Sequence, residues 1–298
     1  MRLKLFGATM LSLGLLAGAC ANASAGDGAG DGATGGSPGG GGISYPTGAD
    51  QVVLRIESGG GFVAMEYSLT TLPMISLFGD GLIITPGAQI EIYPGPALPA
   101  LTQERLSADA IQQLLQAAID AGLDTDRSYT DMGSVGIADA PTTTFTLVVD
   151  GQTHTTNVYA LGELGPKPDA MSADEYQARK DLLAFETKAG DLSWLPEGSV
   201  SDQGTYQPSA LRVFSSDYRP DDSMTEPPIE WPLSPGLATF GDPLDNGPAG
   251  MRCGSVAADA AATLFPLAEQ ANQLTPWTSD GARYGLLFRP LLPDESGC

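Results

Sequence analysis

The chain has 298 residues, with 36 Asp and Glu against 14 Lys and Arg, and its formal net charge at pH 7 is −22. This excess of negative charge repels phosphate backbones, which excludes nucleic acid as a partner. The length suits one large domain or two small ones.

The N-terminus has the features of an export signal. Two basic residues, Arg2 and Lys4, precede an apolar run over residues 5–16. Such a run has the length of a secretory signal and is too short to span a bilayer, which takes about 20 residues. The sequence therefore predicts export from the cytoplasm.

The sequence LAGAC at residues 16–20 resembles the lipobox of bacterial lipoproteins. The resemblance implies that residues 1–19 are a lipoprotein signal peptide and that cleavage precedes Cys20. It also implies that the Cys20 thiol carries a diacylglycerol with acyl chains such as palmitate. The protein would then be lipid-anchored at the extracytoplasmic face of the cell membrane. An ordinary secretory signal with an incidental cysteine and an uncleaved anchor are the alternatives.

Residues 20–47 are predicted to form a flexible tether that begins at the lipidated cysteine. Residues 21–42 consist almost entirely of small and polar residues, Gly above all, and contain no large apolar side chain. Such a segment cannot bury enough apolar surface to offset the entropy of ordering. A Gly-rich chain of this length spans roughly 25 Å between its ends.

Residues 48–165 are predicted to be a first module of strands, one helix and further strands. Alternating apolar residues and Asp-Gly turns indicate strands and hairpins, whereas apolar residues at helical spacing after an N-cap serine indicate a helix. The predicted elements are a strand over 50–57, a hairpin over 74–85 with its turn at Asp80-Gly81, a strand over 89–93, a helix from Ser107 to Gly122 and a hairpin over 142–161 with its turn at Asp150-Gly151.

Residues 166–204 are predicted to be a connecting helix, and residues 205–298 a second module. Ser172 and Glu175 form a capping box that starts a helix ending near residue 189, after which Trp194 packs on the body. The second module is predicted to have a strand over 210–214, an acidic Pro-rich loop over 217–230, a helix over 256–271 and a closing strand over 283–291. The fold class is therefore α+β, with antiparallel sheets that carry helices on one face.

Two cysteines remain once Cys20 is assigned to the anchor. In an exported protein the pair Cys253 and Cys298 is expected to form a disulfide. Free thiols or metal ligands are the alternatives, although a metal site requires more Cys or His residues than His154 alone adds.

The sequence contains few residues that indicate catalysis. A nucleophilic Ser or Cys normally needs a His base, and the one histidine, His154, lies on a predicted hairpin strand where we expect a polar, outward-facing residue. Acidic loops occur at Asp124, Asp126 and Asp131 and at Asp217, Asp221 and Asp222. We expect both loops to be solvated charge, with a Ca²⁺ site as the alternative. We predict no catalytic residue, cofactor or metal site.

The segments SLFGDGLIITPGAQIEIYPGPALP and LTPWTSDGARYGLLFRPLLPDESGC resemble exported lipoproteins of high-GC Gram-positive bacteria whose activity is unassigned. This resemblance supports the predicted location and brings no catalytic residues with it. The sequence favours a non-enzymatic binding or interaction module of the cell envelope, with a protein or glycan partner. A carboxylate-dependent, glycan-directed envelope hydrolase and an inhibitor or accessory factor of an envelope enzyme are the alternatives.

Overall fold

The computed structural model describes residues 42–298 apart from 133–136, 222 and 246. The predicted signal peptide, Cys20 and the Gly-rich segment up to residue 41 lie outside these ranges. The described residues fall within one compact unit. They form two β-sheets with α-helices, which confirms the α+β class.

The strands divide between an eight-stranded and a six-stranded sheet. The first sheet has the order β5-β7-β6-β1-β2-β3-β4-β8 and the second the order β10-β13-β14-β9-β12-β11. Neighbouring strands are antiparallel except for the parallel pairs β5 with β7 and β10 with β13. The strands of the first sheet are β1 (Val52–Gly59), β2 (Ile75–Phe78), β3 (Leu82–Pro86), β4 (Leu101–Leu106), β5 (Arg127–Tyr129), β6 (Thr142–Val149), β7 (Gln152–Tyr159) and β8 (Val200–Thr205). Those of the second are β9 (Ala210–Asp217), β10 (Ile229–Glu230), β11 (Asp242–Pro243), β12 (Arg252–Ala257), β13 (Trp277–Ser279) and β14 (Ala282–Pro290).

The helices are α1 (Met65–Thr70), α2 (Ala108–Asp120), α3 (Ala173–Gly190) and α4 (Ala258–Gln270). Two helices, α2 and α3, cover one face of the first sheet. The predicted N-caps of α2 and α3 are confirmed, because Ser107 accepts a hydrogen bond from the N–H of Ala110 and Ser172 one from the N–H of Glu175. Both helices bury their apolar side chains in the same core as β1 and β6.

The predicted Asp-Gly turns occur in the structure, although one differs in type. Asp150 and Gly151 both have positive φ, as a two-residue hairpin turn requires. At the β2–β3 turn only Gly81 has positive φ, and its N–H donates to the carbonyl of Phe78 at 3.0 Å. This hairpin therefore has a three-residue turn that ends in a left-handed glycine, rather than the predicted two-residue turn.

The predicted strand over residues 89–93 is wrong. These residues form no strand, and Ile90, Ile92 and Tyr93 are exposed. The neighbour that β3 pairs with is β4, which begins at Leu101, so residues 87–100 form a long connection between the two strands. An alternating pattern does not make a strand where no partner lies beside it.

The second sheet packs α4 against a core of aromatic side chains. Trp277 lies between Trp231 and Phe288, with ring centroids 6.3 and 5.5 Å away and edge-on geometry in both pairs. The predicted disulfide is present, because Cys253 on β12 is bonded to Cys298 with their Cα atoms 6.0 Å apart. This bond fixes the C-terminal segment to the second sheet.

The C-terminal segment also joins the two sheets. Asp294 accepts two hydrogen bonds from Arg55 of β1, at 2.7 and 2.9 Å. Leu292 packs in a small core with Phe78 and Ile84 of the first sheet. The two sheets are thus held together by residues that follow β14.

The first described residues pack on the body. Ile43 exchanges two backbone hydrogen bonds with the side chain of Gln112 on α2, both 2.8 Å long. Tyr45 is buried in the first core. Residues 43–47, which the sequence assigned to the tether, therefore lie against the fold.

Candidate functional site

A groove of about 720 Å³ opens at one end of the first sheet. Its floor is the face opposite to the helices, because Glu57 pairs with Thr144 and Gly59 with Thr142, whereas the alternate residues Ile56 and Phe145 point into the core. The floor is polar. The Thr144 hydroxyl donates to Asn157 Oδ1 at 2.9 Å, so this part of the sheet presents hydroxyl and carboxylate groups.

One wall of the groove is the connection between β1 and β2, residues 60–74, which includes α1. Gly60 and Gly61 both have φ of +80°, and a Cβ atom on Gly61 would lie 2.6 Å from the carbonyl oxygen of Asp139. Only glycine allows this close approach in a left-handed conformation. At its other end the connection is fixed by Thr71, whose carbonyl accepts a hydrogen bond from Arg289 at 3.1 Å. Val63 and Tyr67 face the groove from this wall.

The opposite wall contains Asp139 and Pro141, and a buried arginine positions it. Arg179 of α3 is fully buried and donates to the carbonyls of Tyr159 and Asp131, at 2.8 and 2.7 Å. The Tyr159 hydroxyl donates to the carbonyl of Ile137 at 2.8 Å. This chain of hydrogen bonds holds the segment before β6 against the helices.

Exposed apolar side chains concentrate at this end of the sheet. The described residues include seven large apolar side chains that are exposed, and all seven lie on two connections, β1–β2 and β3–β4. They are Phe62, Val63, Met65, Tyr67, Ile90, Ile92 and Tyr93, with Phe62 90% exposed. Large apolar patches on a protein surface mark interaction sites.

The two connections leave the same end of the sheet. β1 and β3 are both antiparallel to β2 and therefore run in the same direction, so the connections that follow them emerge side by side. Pro86, the last residue of β3, lines the groove together with Val63 and Tyr67. The second connection is fixed to the segment between α4 and β13 by Gly95, whose carbonyl accepts from the N–H of Gln273 at 2.9 Å.

Negative charge surrounds the apolar side chains. Glu57 and Asp139 line the groove, Glu66 lies on α1, and Glu91 lies between two exposed isoleucines. Residues 57–74 and 86–100 contain no Lys, Arg or His. Two cations lie beside this region: Arg219 lines a second, smaller pocket together with Glu66, and Arg289 donates to the carbonyl of Thr71. The surface therefore combines apolar groups with an excess of carboxylates.

Sequence reasoning missed this surface. Phe62, Val63, Met65 and Tyr67 follow three glycines, and the last three are spaced two residues apart, as in a strand with one buried face. This local pattern does not mark them as exposed. In the β3–β4 connection, residues 89–93 are predicted as a strand because their apolar residues alternate. For residues 58–73 the sequence predicts no element.

The residues that the sequence singled out lie elsewhere. His154 pairs with Leu147 across β6 and β7, so it lies half-buried at the margin of the helix-covered face, and the predicted outward orientation is wrong. Cys253 on β12 is bonded to Cys298 in the C-terminal segment. Cys20 lies outside the described residues.

The acidic loops make protein contacts. Asp126 accepts a hydrogen bond from the N–H of Thr155 at 2.7 Å. Hydrogen bonds from the Ser223 hydroxyl and backbone N–H lower the pKa of Asp221, whereas Asp222 lies outside the described residues. Over the ranges that the structure describes, no group of three or more His, Cys, Asp or Glu side chains has the arrangement of a metal site.

Comparison with known proteins found no match for this chain among family models, curated proteins or solved structures. In the described part of the chain, no helix combines the length and apolar character needed to cross a membrane.

Proposed function

We propose that this chain is a lipoprotein anchored through Cys20 at the extracytoplasmic face of the cell membrane, and that its folded body is a non-enzymatic binding module of the envelope. The observation that carries the binding role is the concentration of all seven exposed large apolar side chains of the described residues on two adjacent connections. Fully burying such a side chain is worth about 1.5–3 kcal/mol. An isolated monomer gains no stability from leaving seven such side chains exposed to water on one surface.

The two connections are held in place and do not collapse onto the body. Gly61 fits against Asp139, Thr71 accepts from Arg289, and Gly95 is paired with Gln273. Between these fixed points the apolar side chains face solvent. A surface that is held in its binding geometry loses less conformational entropy when a partner arrives, which supports a binding role.

The first described residues and the apolar surface lie at opposite ends of the first sheet. The carbonyl of Ser44 accepts from the N–H of Asp150, in the turn between β6 and β7, which lies at the end where β1 begins. The apolar connections lie at the end where β1 stops, eight residues away, or on the order of 25 Å. A tether that enters at the first end favours presentation of the apolar end away from the membrane.

A glycan-directed hydrolase receives less support from the groove. Such an enzyme needs one carboxyl group that stays protonated, which a dehydrated environment provides. The two carboxyl groups in the groove, those of Glu57 and Asp139, belong to exposed residues. We therefore keep the binding module as the proposed function.

Site-specific crosslinking in cells of the organism that encodes the chain tests this proposal. The photoreactive amino acid p-benzoylphenylalanine replaces Phe62 in one full-length variant and Gln152, an exposed residue at the opposite end of the sheet, in the control. We expect a reproducible adduct in the membrane fraction from position 62 and none from position 152. Equal adducts at both positions, or none at position 62, contradict the proposal.

A further inference from the structure

We infer that the partner of the apolar surface is a polypeptide segment that carries Lys or Arg beside apolar residues. This inference rests on the proposed binding role but not on the proposed anchor. It follows from the composition of the two connections, the polarity of the groove and the division of the apolar side chains between two loops.

Charge gives the first argument. Glu66 and Glu91 lie within the two connections, Glu57 and Asp139 line the groove, and neither connection carries a basic residue. When a partner covers the apolar side chains, it also takes these carboxylates out of water, which is costly unless opposite charges meet them. A partner with Lys or Arg next to its apolar groups satisfies both requirements.

The same charges disfavour two other occupants. A second copy of this chain would bring its own Glu66 and Glu91 against those of the first, and like charges at an interface cost several kcal/mol. A membrane surface with anionic lipids is repelled by the same carboxylates. The apolar surface also lies at the end of the sheet opposite to residue 44, where the chain leads towards the predicted tether.

The shape of the surface favours a polypeptide over a small molecule. Val63 and Tyr67 line the groove, but Ile90, Ile92 and Tyr93 do not, so a ligand confined to the groove would leave the second connection in water. A polypeptide segment spans both connections. Its backbone N–H groups also match the acceptors on the groove floor, which include the carboxylate of Glu57 and the hydroxyl of Thr142.

Selection of random displayed peptides on the full chain tests this inference. The chain carries Cys20→Ala, so that no lipid anchor takes part. We expect the enriched peptides to combine Lys or Arg with large apolar residues, and their binding to weaken as salt is added, because ions screen exposed charges. The double variant Phe62→Ser, Ile92→Ser is expected to weaken binding of an enriched synthetic peptide by about tenfold or more.

A matched pair of charge variants tests the acidic contribution. Glu66→Gln with Glu91→Gln removes two charges at the surface and is expected to weaken binding of the same peptide by roughly threefold to tenfold. Glu163→Gln with Glu197→Gln removes two charges from exposed residues that lie outside both connections, and it is expected to leave binding unchanged. The circular dichroism spectrum of each variant confirms that the fold is retained.

Four results each overturn the inference. They are enrichment of acidic or uncharged peptides, no enrichment at all, dimerisation of the chain that Phe62→Ser abolishes, and binding to vesicles of phosphatidylethanolamine and phosphatidylglycerol that Phe62→Ser abolishes. An adduct at position 62 in cells, together with any of these results, leaves the proposed binding role intact and removes only the assigned chemistry of the partner.

Discussion

Arg179 is the residue on which one wall of the groove depends. Its side chain has no exposed surface, pairs with Glu175 at 3.0 Å and donates to backbone carbonyls on two other segments. Removing a charge from a buried, fully hydrogen-bonded network leaves the remaining groups without partners. Arg179 therefore fixes the backbone of Tyr159, whose hydroxyl in turn donates to the carbonyl of Ile137 in the groove wall.

We expect Arg179→Met to lower the free energy of unfolding by about 3 kcal/mol, because the carbonyls of Tyr159 and Asp131 and the carboxylate of Glu175 lose their donor. Urea unfolding followed by circular dichroism measures the change. Lys180→Met, at the next residue and exposed, is the control and is expected to change stability by no more than about 0.5 kcal/mol. A loss of similar size in both variants contradicts the assigned role.

Two carboxyl groups are expected to change stability with pH in opposite directions. Burial raises the pKa of Glu295, but hydrogen bonds from Arg289 and the backbone of Leu292 outweigh it, and the net pKa is lowered. Burial raises the pKa of Glu186. A carboxyl group whose pKa is lowered by folding stabilises the fold at pH values above the ordinary Glu pKa of about 4.3, and this stabilisation is lost as the pH falls. A carboxyl group whose pKa is raised by folding destabilises the fold above that pH.

We therefore expect Glu295→Gln to lower the free energy of unfolding at pH 7, and the loss to shrink as the pH falls below about 4. Glu186→Gln is expected to raise the free energy of unfolding at pH 7, because the variant no longer holds a half-buried charge. Urea unfolding at a series of pH values measures both. Effects of the same sign at pH 7 would refute the assignment.

At the scale of elements, two glycines determine the backbone conformation at the start of the connection between β1 and β2. Gly60 and Gly61 share a φ of +80°, but only a Cβ atom on Gly61 would meet another atom, the Asp139 carbonyl oxygen at 2.6 Å. Gly60→Ala is expected to cost about 1–2 kcal/mol for the left-handed conformation. Gly61→Ala is expected to cost more, because it also displaces the wall of the groove, and equal losses in urea unfolding contradict this account.

Local signals explain which elements the sequence predicted correctly. The turn at Asp150-Gly151 and the N-caps at Ser107 and Ser172 depend on neighbouring residues, and the structure confirms all three. Strand β4 depends on pairing with β3 and β8. Its sequence, LTQERL, does not alternate, and only the tertiary neighbours make it a strand.

The candidate site escaped prediction for a related reason. Apolar residues such as Phe62 and Ile92 are expected in a core. The local sequence does not show that other segments already fill the core. α2 and α3 complete the core on one face of the first sheet, and the C-terminal segment occupies part of the other. The apolar side chains of the two connections are left outside, which only the packing of distant segments reveals.

At the scale of the whole molecule, the C-terminal segment holds the two sheets together. The bond between Cys253 and Cys298 closes a loop with a sequence separation of 45, and the same segment supplies Asp294 to Arg55. In the chain-entropy account such a bond is worth about 4 kcal/mol. It also fixes the terminus whose contacts join the sheets.

We expect Cys298→Ser to lower the free energy of unfolding by about 4 kcal/mol in urea unfolding. Reduction of the wild type is expected to have the same effect, whereas Cys20→Ala, which removes a cysteine outside the bond, is expected to have none. Unchanged stability in Cys298→Ser would contradict the role of the segment as the link between the sheets.

In the proposed function, the end of the first sheet where β1 begins lies towards the anchor, and the end where β1 stops carries the binding surface. The central claim is that Cys20 attaches the chain to the membrane, so that the far end of the first sheet is free for a partner. The intact mass of the membrane-extracted protein, wild type beside Cys20→Ala, tests this claim most directly. The account predicts residues 20–298 with added acyl chains, less two hydrogens for the disulfide, and a Cys20→Ala variant without acyl mass. A wild type without acyl chains, free of the membrane fraction, would contradict it.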